Sequence, residues 1–186
     1  MKHDKEPVTA IRHLDLKALA LSGGDVAGHD SLSKYERLMQ ETQGLGADLS
    51  VNWAAHGEMR PGANGQDQVW LSLTASASVP LVCQRCMGPV DVALSVDRKF
   101  RFVADEKTAE AEDEESEEDV LVLIRDFDLQ ALVEDELLME LPLIPRHETC
   151  PTAVKLEALD ADFDATTPEK PNPFAVLAKL QIDKPS

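Results

Sequence analysis

The sequence predicts an α+β fold, an antiparallel β-sheet with helices segregated to one side, and three observations predict it. Two-residue alternation of apolar and polar side chains runs from Ala47 to Ala55, from Val69 to Leu81 and from Val90 to Phe102, the pattern of strands with one buried face. Turn dipeptides separate these stretches, Pro61-Gly62 and Asn64-Gly65 in the first gap and Gly88-Pro89 in the second, so consecutive strands form hairpins. Helical spacing at three and four residues falls outside this block, at 34–43 and from Leu129 onward. A sheet of successive hairpins has freedom to curl toward a barrel.

Length sets the organisation. A chain of 186 residues suits one domain, assigned to 1–158, followed by a tail at 159–186. A domain near 150 residues buries roughly 70% of its unfolded surface, so its core forms without a disulfide or metal staple. Three cysteines, an odd number, also speak against a disulfide framework. No apolar run approaches the roughly 20 residues of a membrane-spanning helix. The start, Met1-Lys2-His3-Asp4-Lys5-Glu6, is charged and leads into no apolar signal segment, so a cytoplasmic protein is expected.

The chain carries 35 acidic and 18 basic residues, a net charge of -17 that points away from nucleic acid as a direct partner. Ten of those carboxylates, against one lysine, lie in the segment 105–119. It reads as a mobile, solvated acidic loop inserted between strands, or as an arm that engages a basic partner.

In chain order, the apolar stretch from Val8 to Leu21 packs as a strand leading to a turn or short helix before Ser22-Gly23-Gly24. Ser33 and Glu36 have the spacing of a capping box for a helix over 34–43, with Tyr35, Leu38 and Met39 on one face and Gly44 as its left-handed stop. Ala47, Leu49, Val51, Trp53 and Ala55 then point inward, and 57–68 reads as a loop. Val69, Leu71, Leu73, Ala75, Ala77, Val79 and Leu81 form the inward face of a longer strand, and Val90, Val92, Leu94, Val96, Phe100 and Phe102 that of the next. After the acidic segment, Val120-Leu121-Val122-Leu123-Ile124 is apolar throughout and reads as a central or doubly covered strand.

Asp128 is a good N-cap for a second helix, in which Leu129, Leu132, Val133 and Leu137 recur at helical spacing while Glu134, Asp135 and Glu136 face water or a partner. Leu141-Pro142-Leu143-Ile144-Pro145 ends it and forces an extended exit. The tail is an acidic, proline-punctuated linker and a short helix at 172–180, with Asn172 as N-cap and Phe174, Leu177 and Ala178 on one face. That helix folds back on the domain or docks on another molecule.

Chemistry concentrates at the tip of the second hairpin. Cys83-Gln84-Arg85-Cys86 places two thiols on a tight turn, and the proline-stiffened exit returns His147 and Cys150. Soft thiolates with one imidazole suit tetrahedral zinc, so Cys83, Cys86, His147 and Cys150 are the candidate metal ligands. Two other readings of the pair stay open, a thiol redox motif and plain turn residues. Against the first, Met87-Gly88-Pro89 prevents the helix whose dipole activates such cysteines in redox folds. His3, His13, His29 and His56 stand apart from any nucleophile motif, and Gly23-Gly24 lacks the lysine and spacing of a phosphate loop. No enzyme is expected.

The combination of motifs resembles a known family. Leu81-Val82-Cys83-Gln84-Arg85-Cys86-Met87-Gly88-Pro89-Val90, the acidic spacer, the helix from Asp128 through Glu140-Leu141-Pro142, then His147 and Cys150, and last Asn172-Pro173-Phe174-Ala175-Val176-Leu177 are similar to the bacterial YceD family. That family is described as the large ribosomal RNA subunit accumulation proteins. The resemblance implies a non-enzymatic factor for the synthesis, processing or stability of 23S ribosomal RNA, and hence for large-subunit assembly. The partner is then 23S RNA itself, met by Arg85, Arg98, Lys99, Arg101 and Arg125, or a basic ribosomal protein met by the carboxylates. The family supplies no zinc role; the metal reading comes from spacing.

Overall fold

The computed structural model describes residues 11–62, 65–113, 116 and 118–154. The chain divides into two compact units, Met1–Thr152 and Ala153–Ser186, and the second lies almost wholly outside the described residues, as do the expected linker and helix at 172–180.

The first unit is a five-stranded sheet in the order β1-β2-β3-β4-β5. Its elements are α1 (Leu16–Ser22), β1 (Asp25–Ser31), α2 (Glu36–Glu41), β2 (Ser50–Pro61), β3 (Asp67–Val82), β4 (Pro89–Val103), α3 (Glu106–Asp113), β5 (Asp119–Val122) and α4 (Leu129–Met139). β1 to β4 pair antiparallel as consecutive neighbours, whereas β5 runs parallel to β4. The sheet is therefore mixed, and it stays open instead of closing into a barrel.

Strand β3 shows why the alternation is legible. Its residues from Val69 to Leu81 that were assigned inward are all buried, and those between them are exposed or half-buried. They face α1 and α4, which pack on β2 and β3 and on β3 and β4 respectively. Leu129, Val133 and Leu137 of α4 are fully buried there, and Phe102 meets Phe127 edge to face at 5.3 Å between ring centroids. The opposite face of the sheet is largely open, with small polar residues such as Thr74, Ser76 and Ser95 lining a shallow groove.

Several local expectations are corrected. β1 was not foreseen as a strand; it exists by pairing with β2 from Asp25↔His56 to Ser31↔Ser50. β2 runs on to Pro61, so the connection to β3 is a short turn where a long loop was expected. The capping box does not form. Ser31 caps a single tight turn at Leu32–Lys34, Tyr35 starts α2 without a side-chain cap, and Glu134 of α4 accepts from the N–H groups of Arg37 at 2.7 Å and Leu38 at 3.3 Å. The cap is thus tertiary. The left-handed stop comes one residue earlier than expected, at Gln43 with φ 55°, and Gly44, at φ 80°, follows it and donates its N–H to Met39 O at 2.9 Å.

The acidic segment carries α3, held by a small cluster of Val103, Ala109 and Val120 on the otherwise open face. β5 lies at the sheet edge, not the centre, but uses both faces: Val120 packs against α3, and Leu121 against the main core. In α4, Glu136 is buried at 7% exposure, contrary to its expected outward position. It lies 3.7 Å from Arg98 of β4.

Candidate metal centre

Residues 83–88 connect β3 to β4 as a knuckle. The N–H of Cys83 donates to Gly88 O at 2.8 Å, extending the hairpin ladder by one step, and the N–H of Met87 returns to Cys83 O at 2.8 Å. Met87, in the turn that carries both cysteines, adopts φ 60°, an uncommon conformation for a side chain larger than glycine. A second segment then closes on the first. After α4, the proline-bounded chain brings Pro145 O to the N–H of Gln84 at 2.9 Å, and the N–H of His147 donates to Cys83 Sγ at 3.5 Å.

These braces gather the four expected ligands. Cys86 Sγ lies 3.5 Å from His147 Nδ1, Cys83 Sγ lies 4.0 Å from Cys150 Sγ, and the four donor atoms are all within 4.8 Å of one another. Tetrahedral zinc with ordinary bond lengths sets two sulfurs about 3.8 Å apart and a sulfur and a nitrogen about 3.6 Å apart. The donor set therefore fits the ion and needs to close by at most about 1 Å at its widest edge. Cys83 is buried and the other three are half-buried, so the centre sits at the surface with its deepest ligand in the protein.

The electrostatics suit a cation. Burial pushes the Cys83 thiol up, but the N–H groups of Cys86, His147 and Arg85, with the His147 side chain, more than offset it and bring the thiol down to about 5. Cys150 shifts the other way, raised by burial and by its bonds to Cys86 and Cys83. Cys83 is thus the readiest thiolate of the group, while burial and the charge of its neighbours keep the proton on Cys150.

The cations proposed from sequence do not share one surface. Arg85 is exposed on the knuckle. Arg98 lies on the core side of β4, with Glu136 at 3.7 Å and Glu140 at 3.9 Å. Arg101 is buried on the other face, where it pairs with Glu112 of α3 and donates to Ser116 Oγ at 2.7 Å. Lys99 shares that face and is exposed, as is Arg125 in the turn before α4. Sequence reasoning missed the backbone brace from Gln84 to Pro145 and the tertiary cap from Glu134. The first leaves a trace in the paired prolines; the second leaves none, because a carboxylate 97 residues away supplies it.

Comparison with known proteins adds to this geometry. A family model described as large ribosomal RNA subunit accumulation protein YceD matches residues 71–181, a span that holds all four metal-centre residues. The chain belongs to the YceD family. A relative from Haemophilus influenzae, named large ribosomal RNA subunit accumulation protein YceD, is 30% identical over 159 residues, covering 84% of this chain and 87% of its own length. No solved structure matches the chain. The YceD match begins inside β3, so β1, β2 and the helices before them lie ahead of the matched span.

Proposed function

We propose that this YceD-family chain is a non-enzymatic accessory factor of large-subunit biogenesis, supporting the synthesis, processing or stability of 23S ribosomal RNA in the cytoplasm. The observation that carries the reading is the family match over 71–181, together with the name of the relative that covers most of the chain. Zinc held by Cys83, Cys86, His147 and Cys150 fixes one corner of the fold, and its chemistry when bound is structural: four protein donors leave it no open position for catalysis. A basic ribosomal protein is the partner. Net charge of -17 opposes contact with phosphates, and carboxylates already engage Arg98 and Arg101, two of the cations an RNA surface would need.

Two experiments test this reading. Cells lacking the chain should show a lowered ratio of 23S to 16S RNA and fewer large subunits; an unchanged ratio removes the proposal. Filter binding of 23S fragments across a salt series separates the partners, since tight binding that falls steeply with salt would make RNA the direct contact. The lowered Cys83 thiol favours one other reading, a thiol redox protein. That reading predicts metal-free protein with one fast-reacting cysteine and a reversible Cys83 to Cys86 disulfide, whereas bound zinc protects all three thiols.

A further inference from the structure

Strand β1 forms one edge of the sheet, and its hydrogen bonds to β2 show which backbone groups that edge leaves open. The N–H of Gly57 donates to Gly24 O at 3.0 Å and the N–H of Leu32 donates to Leu49 O at 2.7 Å, one at each end of the β1 to β2 register. Even-numbered residues of β1 therefore turn their backbone groups to β2, and Asp25, Ala27, His29 and Ser31 turn theirs outward. Among the described residues no group meets those outward N–H and C=O groups. The far edge is different. β5 has only four residues, runs parallel to β4, and its Val120 N–H is taken by Asp113 of α3 at 3.3 Å. Natural sheets blunt an open edge with lysine, proline or a bulge, and β1 has none of the three.

The side chains of this edge suit a second copy of itself. Two β1 strands laid antiparallel about a two-fold axis at Ala27 bring the outward residues together, Ala27 beside Ala27 and Asp25 beside His29 of the second copy. Ala27 is exposed and small, so the axis meets no bulk. Asp25 is 80% exposed beyond its contact with His56, and the register sets it beside an imidazole and no carboxylate beside another. On the core face the same register sets Val26 beside Gly28 of the second copy. The Trp53 indole lies over Gly28, so the half-buried Val26 gains an aromatic surface there. Asp30, the other carboxylate of β1, is already held by Lys34 and the Trp53 indole N–H, each at 2.7 Å. The charge that drives copies apart is concentrated elsewhere. Segment 105–119 holds ten carboxylates, and its helix α3 lies against β5 at the far edge. Four strand spacings, about 19 Å, separate β5 from β1, more than two screening lengths of roughly 8 Å.

We propose that the chain forms a homodimer through β1, the two edge strands pairing antiparallel about Ala27 into one continuous ten-stranded sheet. Main-chain hydrogen bonds supply the affinity, and the Asp25 to His29 and Val26 to Gly28 pairings supply the register. One strand against another is a small contact, so the dimer dissociates at micromolar concentration. The proposal depends neither on the metal nor on the partner named above.

Sedimentation equilibrium of the full chain tests this, in reducing buffer so that no disulfide joins the copies, at about 0.15 M salt and from about 1 to about 200 μM protein. The expected result is a mass that rises with concentration from 20.4 kDa toward twice that value. Two variants locate the contact. Ala27→Pro removes an outward N–H and spares the β1 to β2 ladder, a place where an edge strand tolerates proline. Ala27→Lys leaves the backbone alone and sets like charges against each other at the two-fold axis. Each should weaken dimerisation about tenfold or more. If Ala27→Pro does not fold, Ala27→Lys decides, with its melting midpoint expected to match the parent chain at concentrations where both are monomeric. A parent chain of 20.4 kDa at every concentration overturns the proposal, as does dimerisation that either folded variant leaves unchanged.

Discussion

Cys83 shows how one residue joins the fold to the chemistry. It ends a strand, its N–H continues the hairpin ladder, and its sulfur accepts from the chain that returns after α4. Its thiol is brought down to about 5 and that of Cys150 is raised, so at neutral pH Cys150 holds a proton that a bound metal must displace. Zinc affinity should therefore rise with pH through the neutral range, and zinc binding should release protons. Calorimetry in buffers of different ionisation enthalpy measures that release directly. Elsewhere, Gly28 of β1 is required by Trp53: a Cβ at this position would run into the indole ring, whose Nε1 donates to Asp30 at 2.7 Å. Gly28→Ala should displace the ring, lower stability by about 1–3 kcal/mol and shift tryptophan fluorescence. Thermal melting with emission spectra checks both outcomes.

Helix α4 links the sheet, α2 and the candidate metal centre. Its inner side packs Leu129, Val133 and Leu137 into the core, while Glu134 caps α2 and is gripped by Arg37. Glu136 is the cost in this arrangement. Burial raises its carboxyl, Arg98 opposes the shift, and Asp119, Asp135 and Glu140 add to it. A carboxyl raised on folding contributes stability that is fully present below its unfolded value of about 4.3 and is lost as pH rises through the folded value. Glu136→Gln should thus be more stable than the parent chain at neutral pH, with the difference vanishing below about pH 4. Urea unfolding at a series of pH values reads the crossover. A variant less stable than the parent at neutral pH would mean that the ion pair with Arg98 dominates.

Across the whole molecule, legibility followed how local each determinant is. The inward faces of β3 and β4 could be read because period-two burial is written residue by residue, and Asp128 was readable as a cap because its side chain accepts from Ala131, three residues on, at 2.9 Å. β1 was not readable. Asp25-Val26-Ala27-Gly28-His29-Asp30-Ser31 has little apolar pattern and becomes a strand only through β2. The parallel direction of β5 is likewise nonlocal, set by a return through α3, whose acidic composition hides its one buried anchor, Ala109. That Cys83, Cys86, His147 and Cys150 come together could be read from spacing, since CxxC and HxxC each set two donor side chains on a short turn. What spacing could not supply was the brace from Gln84 to Pro145, which depends on where the sheet ends and α4 lets go.

If the proposed function holds, 23S RNA accumulation depends on this braced corner. Cells lacking the chain, supplied with either the parent sequence or Cys150→Ser at equal protein level, test it through one ratio, 23S to 16S RNA. The parent sequence should restore the ratio, and the variant, lacking one of the four candidate ligands, should leave it near the level of the uncomplemented cells. Full restoration by Cys150→Ser would contradict it.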